Sequence, residues 1–508
     1  MDAVEEAAGA AEVLTDPDAE RRAVRAETPP GPLPEGPSPL DPVIASLTRR
    51  GEWETACDLV GAVLSRACAG DGTGLYEAFW AAERLCEEFR SAPARLLPAL
   101  SAVLAWRGTG HPWVSRLPGN AADLLGRAGQ TDAADVLADA AGDPALRETA
   151  DHALTALIRL GDGRSVILLA KDLPGRPRAL RAAVEHGLPF DPGLLSALRE
   201  RLRELPAGGP DLFELLRSWG SDAHEAVPEL CAALPEAARP AADALAAVAR
   251  STPELPQAET ALRQFVSDGD VRERMAAARA LWRLTGDAEP VLAEVAAAFA
   301  TGERPLRHDA AEACRELGEA ARPLLPVLHA LLTRVKPRRL PWQIDVAVAV
   351  WRLTGEAEHV LPALDAALAT PASVTKAILA AGELGPAARP LAERIAHHLY
   401  DLDELPTTIR TLLRVCPDGG LPPGCSPPRL LDLLLTHARE ARNAAPAFEV
   451  IAEVGTRHLT GAHLEHLRAC ATGERRVSRK HSPPDIAADG ALGIAARTLL
   501  ESVSRASG

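Results

Sequence analysis

Apolar residues recur at helical spacing along one stretch near the middle of the chain: Val271, Met275, Ala278, Leu281, Trp282 and Thr285. Positions three and four residues apart share one face of a helix, so this pattern predicts an amphipathic helix over 271–285. Gly286 directly follows this helix, at the position where the chain commonly takes a left-handed conformation that glycine tolerates. Pro290 fits the first turn of the next helix, where a backbone amide has no acceptor within the helix. A second apolar stripe runs from Val291 to Phe299. The stretch therefore predicts two short helices joined by a turn.

This two-helix unit is repeated. The segment from Trp282 to Leu292 recurs from Trp351 to Leu361, and the segment from Glu316 to Leu324 recurs from Glu383 to Leu391. The leucines that align in these four segments are spaced by 33, 36 and 31 residues. Each unit is too small to bury its own apolar stripe, so neighbouring units must stack to complete a core.

Weaker copies of the turn extend the array on both sides. They lie at Leu160-Gly161, at Gly187, at Trp219-Gly220, at Val415-Cys416 and at Val454-Gly455. About eleven turns fit between residues 90 and 460. Aromatic residues make up only 3% of the chain, and β-branched and aromatic runs of the kind that strands use are nearly absent. We therefore predict an all-α fold, a right-handed α-solenoid (superhelix) of about eleven or more two-helix repeats.

The repeat resembles a known family. Asp270-Val271-Arg272, leading into Ala277-Ala278 and Ala280-Leu281, is similar to the second helix of HEAT-like repeats of the phycobilisome-lyase type. The resemblance covers most of residues 90–460 and is closest over 265–400. It implies a HEAT-like α-solenoid and leaves the function open, because such repeats specify a fold and hardly any chemistry.

Composition and the positions of proline and glycine divide the chain into five parts. Residues 1–42 hold ten acidic and three basic side chains, with seven prolines after Glu27, and predict a disordered acidic and Pro-rich arm. Residues 43–90 predict a helical N-terminal cap, and residues 91–415 the HEAT-like solenoid. Residues 416–429 are a Pro/Gly-rich break. Residues 430–508 predict C-terminal helical repeats and a cap, with a last helix near Ile486–Val503.

Charge and cysteine usage narrow the class of protein. The formal net charge is −15, from 55 basic and 70 acidic side chains, which disfavours binding to a nucleic-acid backbone. The eight cysteines form no C-x-x-C pair and no evident disulfide framework, so a reducing cytoplasm is expected. The first residues do not resemble a signal peptide, and no apolar window has the length of a membrane span. Nearly all basic residues are arginines, which we interpret as the coding bias of a GC-rich bacterial genome.

Two loops combine the residue types that recognise partners. The first loop contains Trp106, Arg107, His111 and Trp113. It is a candidate binding site, because tryptophan and arginine dominate binding hot spots. The alternative is an inter-repeat turn whose tryptophans fold back onto the first repeats.

Arg338, Arg339 and Trp342 form the second such segment, where basic and aromatic groups suit an anionic partner. The alternative is a solvated loop with Trp342 packed on the next helix. A further basic run includes Arg475 and Arg476.

One helix face carries possible metal ligands. His463, His466 and Cys470 lie at i, i+3 and i+7, and two imidazoles with a thiolate suit Zn²⁺. The alternative places Cys470 in the core and the histidines on a solvated face. Zinc is the one cofactor that the sequence raises, and no other is predicted.

The chain lacks the motifs of common catalytic sites: G-x-S-x-G, the P-loop and the Rossmann glycine fingerprint. We therefore predict a protein–protein interaction scaffold or adaptor without catalytic activity. Two alternatives stay open. One is a lyase-like or chaperone-like accessory protein that handles a cofactor or peptide, as the resemblance implies. The other is a nucleic-acid-binding HEAT-like protein, which requires a continuous basic stripe along successive second helices.

Overall fold

The computed structural model describes residues 40–70, 72–107, 114–205, 209–301, 304–333, 341–400, 404–440, 445–476 and 486–507. These ranges contain α-helices, short 3₁₀ turns and a single isolated β-bridge, but no strand. Residues 1–39, and with them most of the predicted disordered arm, lie outside the described residues. The α-helices are α1 Leu40–Arg49, α2 Trp53–Ala69, α3 Leu75–Glu88, α4 Ala92–Ala105, α5 Leu117–Arg127, α6 Ala134–Gly142, α7 Arg147–Arg159, α8 Arg164–Lys171, α9 Pro177–Glu185, α10 Pro192–Glu204, α11 Pro210–Trp219, α12 Val227–Ala233, α13 Ala238–Val248, α14 Leu255–Asp268, α15 Val271–Thr285, α16 Glu289–Thr301, α17 Arg304–Leu317, α18 Leu325–Thr333, α19 Pro341–Thr354, α20 Leu361–Leu368, α21 Val374–Leu384, α22 Ala392–Ala396, α23 Leu405–Val415, α24 Pro427–Glu440, α25 Ala445–Val454, α26 Gly461–Thr472 and α27 Ile486–Ser507.

The chain divides into two compact units. Of the described residues, the N-terminal unit comprises those in 40–198, 472–476 and 486–490, and the C-terminal unit comprises those in 199–471 and 491–507. In the N-terminal unit, α5 packs on α7 and α7 packs on α9. In the C-terminal unit, the odd-numbered helices from α11 to α25 pack on one another in chain order. We call these two series the second-helix rows. The predicted all-α stack of two-helix repeats is confirmed.

The helix predicted over 271–285 shows why the repeats fold where they do. Asp270 accepts hydrogen bonds from the amides of Arg272 and Glu273, and the Glu273 carboxylate accepts one from the Asp270 amide. This capping box satisfies amides that have no partner in the first turn. At the other end, Gly286 takes a φ of +79°, which ends α15 at Thr285 as predicted.

Two turns, at Pro323 and Pro390, differ from the pattern predicted at Gly286 and Pro290, in which a proline opens the helix that follows the glycine. Gly318 and Gly385 do end their helices, with φ values of +53° and +57°. Each glycine is the first residue of a seven-residue 3₁₀ segment that contains the proline, and the next α-helices begin only after it, at Leu325 and Ala392. The physical reason is that proline has no backbone N–H to donate, and a tight 3₁₀ turn tolerates this while it reverses the direction of the chain.

The core consists mainly of alanine and leucine. In the C-terminal unit, α15 to α19 share one apolar cluster that includes Phe299 and Trp342. Small residues let helices approach closely in the N-terminal unit, where Gly126 of α5 lies against Ala156 of α7. No helix among the described residues has the length and apolarity needed to cross a bilayer.

The segment after α26 contributes to the N-terminal unit. Arg476 is buried, and its guanidinium donates to Asp489 at 2.9 Å and to the carbonyl of Cys86 at 3.0 Å. Arg475 forms an antiparallel bridge with Phe89 and an ion pair with Glu88. These two residues of the predicted basic run therefore have structural partners within the chain.

Candidate functional site

Trp106 and Arg107 begin the first of the two predicted recognition loops. Trp106 follows α4 and is 8% exposed, and its ring lies so close to Gly72 that a Cβ there would be 2.9 Å from the ring atom Cζ2. Arg107 is half exposed, bonded to the carbonyl of Leu104 at 3.1 Å and paired with Asp143 at 3.3 Å. His111 and Trp113 lie outside the described residues. The structure thus places Trp106 in the core and Arg107 at the surface.

Trp342 is the described member of the second predicted segment, since Arg338 and Arg339 lie outside the described residues. It is 6% exposed and belongs to the apolar cluster of α15 to α19. Its ring centroid lies 6.4 Å from that of Phe299, and the Arg307 guanidinium lies over it at 5.7 Å. Trp342 therefore packs inside the repeats.

Of the three predicted zinc ligands, His466 and Cys470 contact each other, whereas His463 has other partners. His463 accepts a hydrogen bond at Nδ1 from the Thr460 amide, so its Nε2 carries the proton and donates to Asp432 at 2.9 Å. The Nε2 atom of His466 instead lies 3.6 Å from the sulfur of Cys470, which is buried. In the described parts of the chain, no group of three or more His, Cys, Asp or Glu side chains is arranged to hold a metal ion. The structure does not bring the three residues to one point.

The cysteines are all free, and most are buried. Burial raises the pKa of Cys57 and of Cys314 to about 12, and that of Cys68 and of Cys231 to about 11. Because the thiolate is the reactive form, these side chains act as apolar packing groups at neutral pH.

A ladder of ion pairs follows the second-helix row of the C-terminal unit. Arg283 on α15 bonds to Asp243 on α13 at 2.6 Å and to Glu316 on α17 at 2.7 Å. Two repeats later, Arg352 on α19 bonds to Glu383 on α21 at 2.7 Å. The basic side chains of this row thus alternate with carboxylates from neighbouring helices.

The most buried arginine of the ladder is Arg279 on α15. It bonds to Glu316 and lies 3.2 Å from Glu312. Burial by itself would raise the pKa of Glu316, but the hydrogen bonds and charges of Arg279 and Arg283 outweigh it and hold that pKa below its usual value. Burial likewise opposes the charge of Arg279, yet Glu316 raises the pKa of its guanidinium. Both groups are therefore charged at neutral pH.

A second buried charge lies two repeats farther along the row. Asp345 on α19 is 2% exposed and is bonded to Lys376 on α21, with Arg315 on α17 at 3.6 Å. A carboxylate removed from water in this way is stable only with partners of opposite charge. The row is thus tied together by charges contributed from three successive repeats.

Clefts open on the same row. One of about 300 Å³ lies at the N-terminal ends of α11 and α13, with Phe213 and Pro240 among its apolar walls and Arg217 and Asp243 among its polar ones. Arg239 lines this cleft and also a smaller neighbouring one, which Arg272 and Met275 of α15 line as well. This mixed lining suits polypeptide, whose side chains offer both apolar and charged groups.

The second-helix row of the N-terminal unit has a more polar cavity, of about 320 Å³, between α5, α7 and the start of α9. Asp123, His152 and Arg178 meet there from three consecutive helices of the row. These residues were not singled out from the sequence. The available signal was His152, a histidine at a position of the repeat that stacking buries.

Comparisons with known proteins give no family. No protein-family model matches the chain, and no curated protein matches it. The crystal structure of Kap121p bound to Nup53p is similar over 99% of this chain and 68% of that chain, with 11% identity and a TM-score of 0.31. A circular tandem repeat protein with novel repeat topology is similar over 99% and 95%, with 16% identity and a TM-score of 0.14. These scores are too low to carry an argument, so the fold rests on the helices and contacts themselves.

Proposed function

We propose that this protein is a HEAT-like helical-repeat scaffold that binds a protein segment along its second-helix rows and has no catalytic activity of its own. The observation that supports this most directly is the position of the clefts on those rows, with charged and apolar walls side by side. Stacked repeats provide a long surface that contacts an extended partner at several points.

The ion-pair ladder favours a protein partner over nucleic acid. Arg279, Arg283 and Arg352 are each bonded to a carboxylate of an adjacent repeat. A row of alternating charge offers no continuous basic stripe for phosphates, which the nucleic-acid alternative requires. It complements a partner that carries charges of both signs.

Site-specific photocrosslinking tests the proposal. In one variant, a benzophenone amino acid replaces Arg272, an exposed residue on α15 of the second-helix row. In the other, it replaces Gln264, an exposed residue on α14, which is the first helix of the same two-helix repeat. In a lysate of the source organism, we expect crosslinked protein bands from position 272 that position 264 does not produce. Equal bands at both positions, or none, would contradict the proposal.

A matched pair of charge reversals sharpens the test. Arg239→Glu changes the arginine shared by two clefts of the row, whereas Arg263→Glu changes an arginine of similar exposure on α14. We expect Arg239→Glu to remove the bands formed at position 272 and Arg263→Glu to leave them unchanged. The opposite result would place the partner on the first helices.

A further inference from the structure

The polar cavity of the N-terminal unit is organised around a buried histidine. His152 is 6% exposed, and its Nδ1 lies 2.6 Å from a carboxylate oxygen of Asp123. A carboxylate can only accept a hydrogen bond from this ring, so Nδ1 carries the proton. The ring lies flat against Gly119, where a Cβ would be 3.0 Å from the ring atom Cδ2. The imidazole is therefore held in one orientation.

Polar groups without partners also line this cavity. Thr149 is 7% exposed, and its hydroxyl makes no hydrogen bond within the described parts of the chain; neither does the side-chain amide of Asn120. Both groups line the open cavity, so they are available to hydrogen-bond with a ligand that enters it. Thr149 also lies in the first turn of α7, whose N-terminus has no side-chain cap. The positive end of that helix therefore faces the same space.

The charges around the cavity favour an anion. Arg116 and Arg178 line it, and the Arg178 guanidinium is 60% exposed, 3.3 Å from the His152 ring and 3.9 Å from Asp123. Asp123 is balanced by Arg159 at 3.6 Å in addition to the Nδ1 proton of His152. Glu148 is the other acid of the lining, and it is exposed to solvent. The lining thus holds Arg116 and Arg178 beside two carboxylates, of which Asp123 already has partners of its own.

We propose that this cavity binds an oxyanion group of the scaffold's protein partner, either the carboxylate of an acidic residue or the phosphate of a phosphorylated one. The Arg178 guanidinium neutralises the anion, while the Thr149 hydroxyl and the Asn120 amide donate hydrogen bonds to its oxygens. A volume of about 320 Å³ accommodates one such side chain. This inference rests on the proposed function, since it names the anchor that one row offers to the bound segment.

The test uses blocked single residues and the isolated full-length protein. N-acetylglutamate amide and N-acetylphosphoserine amide are titrated while the ring signals of ¹³C-labelled histidine are recorded, with His152 assigned by His152→Gln. We expect a saturable shift of the His152 signal with at least one of the two anions, and binding about tenfold weaker for neutral N-acetylglutamine amide. The tighter of the two anions identifies the partner's group.

Two variants and a matched control complete the experiment. We expect Arg178→Gln to weaken anion binding about tenfold and Thr149→Val to weaken it by a smaller factor. Arg181→Gln, one turn farther along α9 and outside the cavity lining, should bind like the wild type. Circular dichroism establishes that each variant is folded. The proposal is overturned if neither anion shifts His152, or if Arg178→Gln binds as tightly as the wild type.

The two proposals fail separately. Anion binding by the isolated protein requires no partner, so anion binding without crosslinking would retain the cavity and reject the scaffold. Crosslinking on the C-terminal row without anion binding would retain the scaffold and reject the cavity as its anchor.

Discussion

Arg283 donates to Glu316 across 2.7 Å, and the same contact recurs between Arg352 and Glu383. Both arginines follow the tryptophan of the eleven-residue repeat, and both glutamates begin a Glu-Leu-Gly copy. The repeated sequence thus carries an ion pair that links one second helix to the next. Repetition along the chain and pairing between helices are two aspects of the same feature.

The first prediction concerns the strength of this pair. A double-mutant cycle with Arg283→Ala and Glu316→Ala should give a coupling energy of about 1 kcal/mol, because both side chains are more than two-thirds buried. The cycle for Arg352 and Glu383 should give a smaller value, since Arg352 is 40% exposed. Urea denaturation followed by circular dichroism measures both.

The matched control is the pair of Arg322 and Glu319, which lie three residues apart and are largely exposed. Its cycle should give no measurable coupling. Equal coupling in the exposed control and in the Arg283 cycle would show that contact between repeats adds nothing to the pair.

The second prediction follows from the lowered pKa of Glu316. A carboxyl whose pKa is lower in the folded state stabilises the fold above its unfolded pKa, near 4.5, and loses that contribution as the pH falls through the folded value. The free energy of unfolding of the wild type should therefore fall more steeply below pH 4.5 than that of Glu316→Gln. Urea titrations at several pH values measure both slopes.

Glu319→Gln serves as the control for this pH effect, because Glu319 is exposed. Its slope should match that of the wild type. If Glu316→Gln also keeps the wild-type slope, Glu316 does not carry the predicted shift.

The third prediction concerns the capping box of α15. Asp270→Ala should lower the free energy of unfolding by about 1 kcal/mol, because the amides of Arg272 and Glu273 lose their acceptor. Asp270→Ser should retain most of the stability. Asp268→Ala, at the exposed C-terminal end of α14, is the control and should have almost no effect. An equal loss at both positions would argue against the cap.

The fourth prediction compares two helical glycines. A Cβ on Gly126 would lie 2.7 Å from that of Ala156, so Gly126→Ala should push α5 and α7 apart and destabilise the protein by about 1–3 kcal/mol. A Cβ on Gly61 of α2 would lie 3.6 Å from its nearest neighbour, so Gly61→Ala should stabilise by about 0.5–1 kcal/mol. Thermal denaturation distinguishes the two signs, and a stabilising Gly126→Ala would contradict the close approach.

Local chemistry made α15 predictable to the residue. Its capping aspartate, its apolar spacing and Gly286 all lie within the helix or next to it, so nothing distant was needed. The 3₁₀ segments that begin at Gly318 and Gly385 were not predicted, because proline is compatible with both a helix start and a tight turn. The direction that the next repeat must take selects between them.

The site residues behaved differently. Trp106 and Trp342 were predicted to recognise a partner from their residue types, with packing as the alternative, and the structure buries both. The type of a side chain determines which contacts it can make, whereas its burial depends on neighbouring residues that lie far away in the sequence. The predicted zinc face is similar, since both ring nitrogens of His463 contact Asp432 and Thr460, and neither contact is evident from the sequence pattern.

The sequence by itself determined the all-α class, the two-helix repeat and most of the turns, because each depends on residues within a few positions of one another. Only the tertiary structure decided which charges meet and where a cavity opens. Asp123, His152 and Arg178 are separated by 29 and 26 residues, and each belongs to a different helix. They form one site because stacking places successive second helices side by side, and that juxtaposition depends on the core between the helices rather than on any local pattern.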